Sequence, residues 1–101
     1  MPFVRQNPRP FTRQDIESLS PNLRGVYGIF KQPQNPIWIY VGKATDIRDR
    51  LLQHLLGIDG NPCILRQNPT YWIGEINVLN IDSREEELIR ELNPVCNRRI
   101  G

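Results

Sequence analysis

The sequence predicts a small α/β domain of the α+β kind, in which a three-stranded, mainly antiparallel sheet is flanked by helices. Two runs rich in β-branched and aromatic residues, 24–31 and 37–42, are separated by turn residues and predict a β-hairpin. Apolar residues recur at helical spacing over 46–56 and again just before Asn93-Pro94. We therefore expect helices to cover the hairpin and a further strand.

The chain has 101 residues, the length of one domain. Residues 20–101 are expected to form its compact body. Residues 1–10 contain three prolines and no hydrophobic period, so they predict an extended arm that either packs across the domain or stays mobile. A short helix over about 13–19 follows, ended by Ser20-Pro21.

The remaining elements follow from local signals. A helix is predicted over 46–56 with Asp46 as its N-cap, and a third strand over 71–79. A capping box that begins at Ser83 predicts a last helix that ends near Leu92.

Strand alternation predicts which hairpin side chains share a face. It places Tyr27 with Ile29 in the first strand and Trp38 with Tyr40 in the second.

Composition narrows the class of partner. The net charge is only +2, which excludes a histone-like polycation, but the cations are eleven arginines and two lysines. The guanidinium group matches phosphate oxygens bidentately, which favours a nucleic-acid partner, although arginine richness also follows from genomic base composition. No apolar run is long enough for a membrane helix, and the N-terminus lacks the apolar core of a secretory signal. We therefore expect a cytoplasmic protein.

The two cysteines, Cys63 and Cys96, lie outside any CxxC pattern. We expect free, structural thiols, as an intracellular location suggests. Two scattered cysteines and a single histidine cannot easily form a tetrahedral zinc site.

Glu85 is the first candidate for chemistry. It precedes Leu88, Ile89 and Leu92 by three, four and seven residues, so it shares the apolar face of the last helix. A carboxylate on an apolar face is costly unless it meets a cation. The residues leave three interpretations open: a metal ligand, a partner of the helix N-terminus, or a partner of an arginine.

The middle helix and the hairpin supply further candidates. Arg50 and His54 are four residues apart and border the apolar stripe, so both can reach one phosphate-sized target. The alternative is an arginine lying over the core edge beside a partly exposed histidine. Tyr27 and Tyr40 each lie near glycines, which in strands often mark close approach, and Lys43 directly follows the second strand.

Together these residues resemble the GIY-YIG nuclease family. The two naming motifs are present as Gly25-Val26-Tyr27 and Tyr40-Val41-Gly42. Arg50 follows Lys43 by seven residues and His54 follows by four more. The segment that starts at Glu85 continues to Leu88-Ile89, Pro94 and Asn97. The resemblance covers about residues 20–98.

The resemblance implies an endonuclease that hydrolyses DNA phosphodiesters on one face of the sheet, with one Mg²⁺ (Mn²⁺ as a substitute) held by Glu85. Arg50 would stabilise charge on the phosphorus, and Tyr27 would activate the attacking water, which requires a lowered pKa or a transient role. Tyr40 and His54 would orient the water or hold the phosphate, so the identity of the base stays open. Candidate substrate-binding residues are Lys43, Arg48 and Asn97, the last also as a support of the local backbone.

Two alternatives remain. The same fold could serve as a catalytically inactive or partner-dependent DNA-binding module, or its arginines could bind an acidic protein. We expect a monomer with weak, salt-sensitive DNA affinity of its own, so a partner protein or the structure of the DNA would provide targeting. Arginines near the termini either extend the DNA contact or are solvated tail charges: Arg5, Arg9, Arg13, Arg98 and Arg99.

Overall fold

A computed structural model of the protein describes Phe3 and residues 7–32 and 34–97. In chain order the elements are β1 (Arg9–Pro10), α1 (Arg13–Glu17), β2 (Gly25–Lys31), β3 (Ile37–Ala44), α2 (Ile47–Leu56), α3 (Pro62–Arg66), β4 (Tyr71–Ile76) and α4 (Ile81–Leu92). The sheet order is β1-β4-β2-β3, and every neighbouring pair is antiparallel. The expected three-stranded sheet is confirmed as β2, β3 and β4.

The arm adds a short fourth strand to this sheet. Arg9 pairs with Trp72 and Pro10 with Tyr71, while Phe3 is buried and stacks on Trp38. The described residues of the arm therefore pack across the domain, which is one of the two alternatives expected from the sequence. Residues 1–2 and 4–6 lie outside the described part of the chain, as do residues 98–101 at the end of the predicted domain.

Each face of the sheet has its own apolar cluster. One face carries Tyr27 and Ile29 and packs against α1, α2 and α3. The other carries Val26 and Val41 and packs against α4. Strand β2 lies in the centre with both faces covered, which explains why six of its seven residues are buried. The outer position of β3 leaves one of its edges available to other groups.

A β-bulge in β3 overturns one predicted pairing. Ile29 is opposite Tyr40 but Phe30 is opposite Trp38, so Ile39 is an additional residue in the outer strand. The extra residue reverses the alternation, and Trp38 packs beside Phe30 on the face of α4. The prediction that Trp38 and Tyr40 share a face is therefore wrong, whereas Tyr27 and Ile29 do share one.

The predicted helices form, with two corrected boundaries and one addition. Helix α1 ends at Glu17 rather than near residue 19, and strand β4 likewise ends early, at Ile76 rather than residue 79. Asp46 caps α2 as expected. Helix α4 begins at Ile81 because the Asn80 side chain accepts a hydrogen bond from the Ser83 N–H, so Ser83 is not the N-cap. Helix α3, opened by Asn61 and Pro62, was not predicted, since five residues are too few for an apolar period.

The cysteine prediction is also wrong. Cys63 on α3 and Cys96 beyond α4 form a disulfide, with their Cα atoms 5.7 Å apart. Their separation of 33 residues carries no information about this distance. The backbone of Cys96 is held beside β3, where its N–H donates to the Ile39 carbonyl, and this places the thiol at α3.

Among the described residues, no helix has both the length and the apolar character needed to cross a membrane.

Candidate active site

The centre of the site is a buried contact between a strand tyrosine and a helix histidine. The Tyr27 hydroxyl oxygen is 2.6 Å from His54 Nε2. Tyr27 points at α2 because of its position in the alternation of β2, and His54 borders the stripe of Ile47 and Leu51 that packs on the same face. Both side chains are buried, so the alternative of an ordinary, partly exposed histidine is excluded.

The other ring nitrogen of His54 has a partner that sequence reasoning missed. His54 Nδ1 is 2.5 Å from Asp59 Oδ2, and both side chains are buried. An ionised carboxylate can only accept a hydrogen bond, so beside ionised Asp59 a neutral imidazole would carry its hydrogen on Nδ1 and present its Nε2 lone pair to Tyr27. The Tyr27 hydroxyl then donates to Nε2, and the three groups form a chain from phenol to imidazole to carboxylate.

Burial controls the ionisation of the two tyrosines. It raises the pKa of Tyr27 well above its ordinary value; Tyr40 and Glu85 add to the rise, and the Arg50 guanidinium opposes it. Burial likewise raises the pKa of Tyr40, again against Arg50. In the protein without a bound cation, burial therefore opposes a resting phenolate at Tyr27, which favours the transient role over the lowered pKa.

The same burial keeps His54 neutral. It lowers the pKa of His54 below 6.5, while Asp59 opposes the fall and Arg50 adds to it. At pH 7 the imidazole is therefore uncharged and able to accept a proton at Nε2.

Arg50 and Gly42 bring the two tyrosines together. Arg50, one turn before His54 on α2, donates to Gln53 Oε1 at 2.7 Å and interacts with both tyrosine hydroxyls. Gly42 lies opposite Tyr27 in the neighbouring strand. A Cβ atom there would be 2.5 Å from the Tyr27 hydroxyl oxygen and 2.8 Å from the Tyr40 ring, so this strand position requires glycine.

The charged side chain of Glu85 faces the interior, as predicted. It is 8% exposed, whereas Glu86 and Glu87 beside it are exposed. Its Oε1 is 3.9 Å from Lys43 Nζ, and Lys43 also bonds Asp82 one turn earlier on α4. Lys43 is thus a cation beside Glu85, on the carboxylate side of the site.

The site draws on helices from both faces of the sheet. Tyr27, Arg50 and His54 lie on the α2 side, and Glu85 projects from α4 on the other side. Glu85 nevertheless raises the pKa of both tyrosines, so it lies within their electrostatic range. The expectation of a site on one face of the sheet therefore stays a prediction.

The residues of this site fit a hydrated divalent cation. Glu85 supplies a hard carboxylate oxygen that is held by a helix and is nearly buried. No group of three or more histidine, cysteine or acidic side chains around one metal position exists among the described residues. A cation here would therefore keep most of its waters or take phosphate oxygens, as Mg²⁺ does when few carboxylates are available.

Two residues predicted to bind substrate have other contacts. The Asn97 side chain accepts from the Val41 N–H and donates to the Val41 carbonyl, both at 2.7 Å, so it supports the backbone of β3. Arg48 donates to the Leu19 carbonyl at 3.4 Å, on the α1 side of α2, and the structure does not bring it to the site. Both amide groups of Asn97 are thereby used, and the backbone role fits it better than substrate binding.

The arginines near the N-terminus are paired within the protein. Arg9 bonds Asp15 and lies over the Trp72 ring, and Arg13 bonds Glu17. Arg5, Arg98 and Arg99 lie outside the described residues. The two side chains remain 41% and 65% exposed, so both interpretations of Arg9 and Arg13 stay open.

Comparison with known proteins identifies relatives among repair nucleases, although no protein-family model matches the chain. It is 34% identical over 95 residues to excinuclease cho of Salmonella typhi, which is 91% of this chain and 29% of that protein. It is 33% identical over 75 residues to UvrABC system protein C of Fervidobacterium nodosum, 74% of this chain and 12% of that protein. The chain thus spans less than a third of the length of the curated relatives it matches.

A solved structure matches almost end to end. It is the crystal structure of the GIY-YIG N-terminal endonuclease domain of UvrC from Thermotoga maritima, a tyrosine-to-phenylalanine mutant bound to its catalytic divalent cation. The TM-score is 0.65 at 30% sequence identity, and the match covers 86% of this chain and 94% of that one. A match of this extent, on a chain that brings both motif tyrosines, Arg50 and Glu85 to one site, shows that the protein belongs to the GIY-YIG nuclease family.

Proposed function

We propose that this protein is a divalent-metal-dependent endonuclease that hydrolyses DNA phosphodiester bonds. The observation that supports this most directly is the convergence of Arg50, Glu85 and two tyrosine hydroxyls within electrostatic range of one another. Phosphodiester hydrolysis needs such a set: an anchor for a cation, a fixed positive charge for the phosphate, and a group that takes a proton from water.

Glu85 is the proposed metal ligand, with Mg²⁺ as the cation and Mn²⁺ as its substitute. When bound, the cation would neutralise charge on the scissile phosphate and on the leaving oxygen. Lys43, 3.9 Å from Glu85, would contact the same phosphate group as an ammonium point charge. Its current partners, Asp82 and Glu85, keep it at the edge of β3 until DNA arrives.

Arg50 would hold a non-bridging phosphate oxygen and stabilise the additional charge of the transition state. Its guanidinium group already interacts with both tyrosine hydroxyls, so little reorganisation is required. Tyr40, which is less buried than Tyr27, would orient the attacking water.

Tyr27 would relay a proton from the attacking water to His54 and would not hold it as a resting base. Burial raises the pKa of Tyr27 and so opposes a resting phenolate, but the Tyr27 hydroxyl oxygen is already 2.6 Å from Nε2 of His54. As water loses a proton to the phenolic oxygen, the phenolic proton would pass to Nε2. The net result is hydroxide at phosphorus and an imidazolium at His54, which later releases its proton to solvent.

The DNA substrate is proposed from the relatives. They are excinucleases and a UvrABC protein, so DNA repair in the cytoplasm is the proposed setting. The chain spans less than a third of these relatives, and a partner protein or the structure of the DNA would provide targeting. We propose a monomer as the active unit.

The test is cleavage of a panel of duplex, flap, branched and single-stranded DNA with Mg²⁺ or Mn²⁺, with and without EDTA. We expect metal-dependent cuts that Glu85→Gln abolishes, because the neutral amide binds a hard cation poorly. Glu86→Gln, which removes an exposed charge from the adjacent position, is the matched control and should keep wild-type activity.

Cleavage that persists in EDTA or in Glu85→Gln would contradict metal ligation by Glu85. Tight DNA binding with no cleavage of any substrate would favour the inactive DNA-binding module instead.

A further inference from the structure

Asp59 is a buried carboxylate outside the family motifs of this chain. Its side chain is 2% exposed, and each of its oxygens has a partner. Oδ2 accepts from His54 Nδ1 at 2.5 Å, and Oδ1 accepts from the Asn61 N–H at 3.3 Å. A buried carboxylate is costly unless its partners compensate for lost water, and the imidazole is the stronger of the two here.

The turn after α2 delivers Asp59 to His54. Gly57 ends the helix with φ +73°, its N–H donating to the His54 carbonyl, while the Ile58 N–H donates to the Gln53 carbonyl. This pair of bonds is the Schellman pattern, which turns the chain back along the last helical turn. Residue 59 is thereby returned to the level of residue 54.

The far side of the same turn is also anchored. Asn61 caps α3 by accepting from the Cys63 N–H, and its side-chain amide donates to the Cys96 carbonyl. The Cys63–Cys96 disulfide joins the same two segments covalently. Asp59 is thus held from both sides at a fixed distance from the imidazole.

We propose that Asp59 is a positioning residue of this nuclease: it holds His54 as the Nδ1–H tautomer, so that Nε2 accepts the proton of the Tyr27 hydroxyl. The inference rests on the proposed function, because it assigns the third member of the proton path described there. Asp59 touches neither DNA nor water in this role and acts only through the imidazole.

The proton balance explains why a carboxylate is needed at this place. When water transfers a proton to the Tyr27 oxygen and the phenolic proton moves to Nε2, His54 becomes a buried cation. The Asp59 carboxylate offsets that charge at 2.5 Å, and no proton need pass to Asp59 itself. The opposite tautomer would present an N–H to the phenol and block the transfer.

Because His54 is the single histidine of the sequence, ¹⁵N NMR of the imidazole reports this tautomer without assignment. In the wild-type protein alone, without metal or DNA, we expect a protonated Nδ1 and an unprotonated Nε2. Asp59→Ala should lose this preference. An unchanged Nδ1–H tautomer in Asp59→Ala would overturn the proposal.

Asp59→Asn keeps the size of the side chain and removes its charge, which covers the case in which Asp59→Ala does not fold. The groups that face His54 are Tyr27, Tyr40, Arg50 and Asp59, and Asp59 opposes the lowering of its pKa. The imidazole of Asp59→Asn should therefore titrate at lower pH than in the wild type. An identical titration midpoint would contradict the proposal.

Activity gives the second readout. Asp59→Asn should lower kcat at least about 10-fold with KM for DNA unchanged, because the buried imidazole loses the carboxylate that fixes its tautomer and offsets its charge. Asn61→Ala is the matched control, because it loosens the same turn but leaves the carboxylate: it should lower the Tm and keep the wild-type tautomer. A fall in Tm without a change in tautomer in Asp59→Asn and Asp59→Ala would assign Asp59 a purely structural role.

The two proposals fail separately. If the wild type cleaves no DNA, the proposed function fails, whereas the tautomer measurement on the free protein stands by itself.

Discussion

Burial gives the three rings of the site, Tyr27, Tyr40 and His54, a common property: none is charged at neutral pH. The pKa of each tyrosine is raised and that of the histidine is lowered, with burial as the largest cause in all three. Formal charge is thus left to Glu85, Lys43, Arg50 and Asp59 around them. A neutral centre with charged groups at its border suits proton transfer that is completed only when substrate is bound.

Tyr27→Phe tests the proton path at its first member. The phenylalanine keeps the packing in the core cluster but cannot take a proton from water, so cleavage should fall at least about 100-fold. Tyr40→Phe, at the less buried position, is the comparison and should be less severe if Tyr40 only orients the water. A wild-type single-turnover rate in Tyr27→Phe would exclude the general-base role.

The lowered pKa of His54 also predicts how the free energy of unfolding depends on pH. Its folded pKa is lowered from 6.5, so the unfolded chain binds more protons between 6.5 and the folded value. The free energy of unfolding should therefore fall as the pH falls through this window, by up to about 1.4 kcal/mol per pH unit. Urea unfolding between pH 5 and 7.5 measures this.

His54→Gln is the control for that dependence, because the amide does not titrate and can still bond Tyr27 and Asp59. It should lack this part of the slope. Identical pH profiles for the two proteins would show that carboxylates, not His54, determine the dependence.

At the scale of elements, contacts with neighbouring segments determine the backbone path of the outer strand β3. The bulge at Ile39 turns Trp38 to the face of α4 while Tyr40 keeps its place beside Tyr27. Asn97 then holds Val41 through both polar groups of its amide, as a paired strand would. A strand edge that is bulged at Ile39 and hydrogen-bonded to the segment after α4 at Ile39 and Val41 is a defined platform for the groups at the site.

Helix α4 carries Glu85, and its N-terminus provides a test of the corrected boundary. Asn80→Ala removes the side-chain acceptor of the Ser83 N–H and should cost about 1 kcal/mol of unfolding free energy. Ser83→Ala keeps that backbone donor and should cost only a few tenths of a kcal/mol. Chemical denaturation of both variants measures the difference, and the reverse ranking would favour the cap predicted at Ser83.

At the scale of the whole molecule, a disulfide connects the two segments that support the site. Cys63 belongs to α3, after the Asp59 turn, and Cys96 directly precedes Asn97. Disulfides are rare in cytoplasmic proteins, where thiols are generally reduced, so this bond bears on the proposed cytoplasmic setting. The contribution of this disulfide to the free energy of unfolding can be measured by reducing it.

Reduction of this disulfide should destabilise the protein. Closing a loop of 33 residues restricts the unfolded chain by about 3 to 4 kcal/mol in the loop-entropy description. We expect urea unfolding at a lower midpoint with a reductant present. The double variant Cys63→Ser, Cys96→Ser should unfold at the lower midpoint with or without reductant, and an unchanged wild-type midpoint would argue against the bond.

Local patterns were sufficient for the elements that are long and periodic. The hairpin, the third strand, helix α2 and the inward direction of Glu85 all follow from spacing, because a period of two or 3.6 residues relates each side chain to its face. Asp59 could have been found as well: Gly57 is a helix-ending residue, and the turn it makes returns the chain to His54.

The sequence by itself determined the fold class and the residue types that converge on the site, because periodicity and motif spacing act within a few turns or strands. The inward-facing Glu85 was among them. Only the tertiary structure decided that Trp38 leaves the face of Tyr40 and that Cys63 bonds Cys96. The physical reason is the same in both cases: a bulge and a Cα–Cα distance result from packing between segments that are distant in the chain.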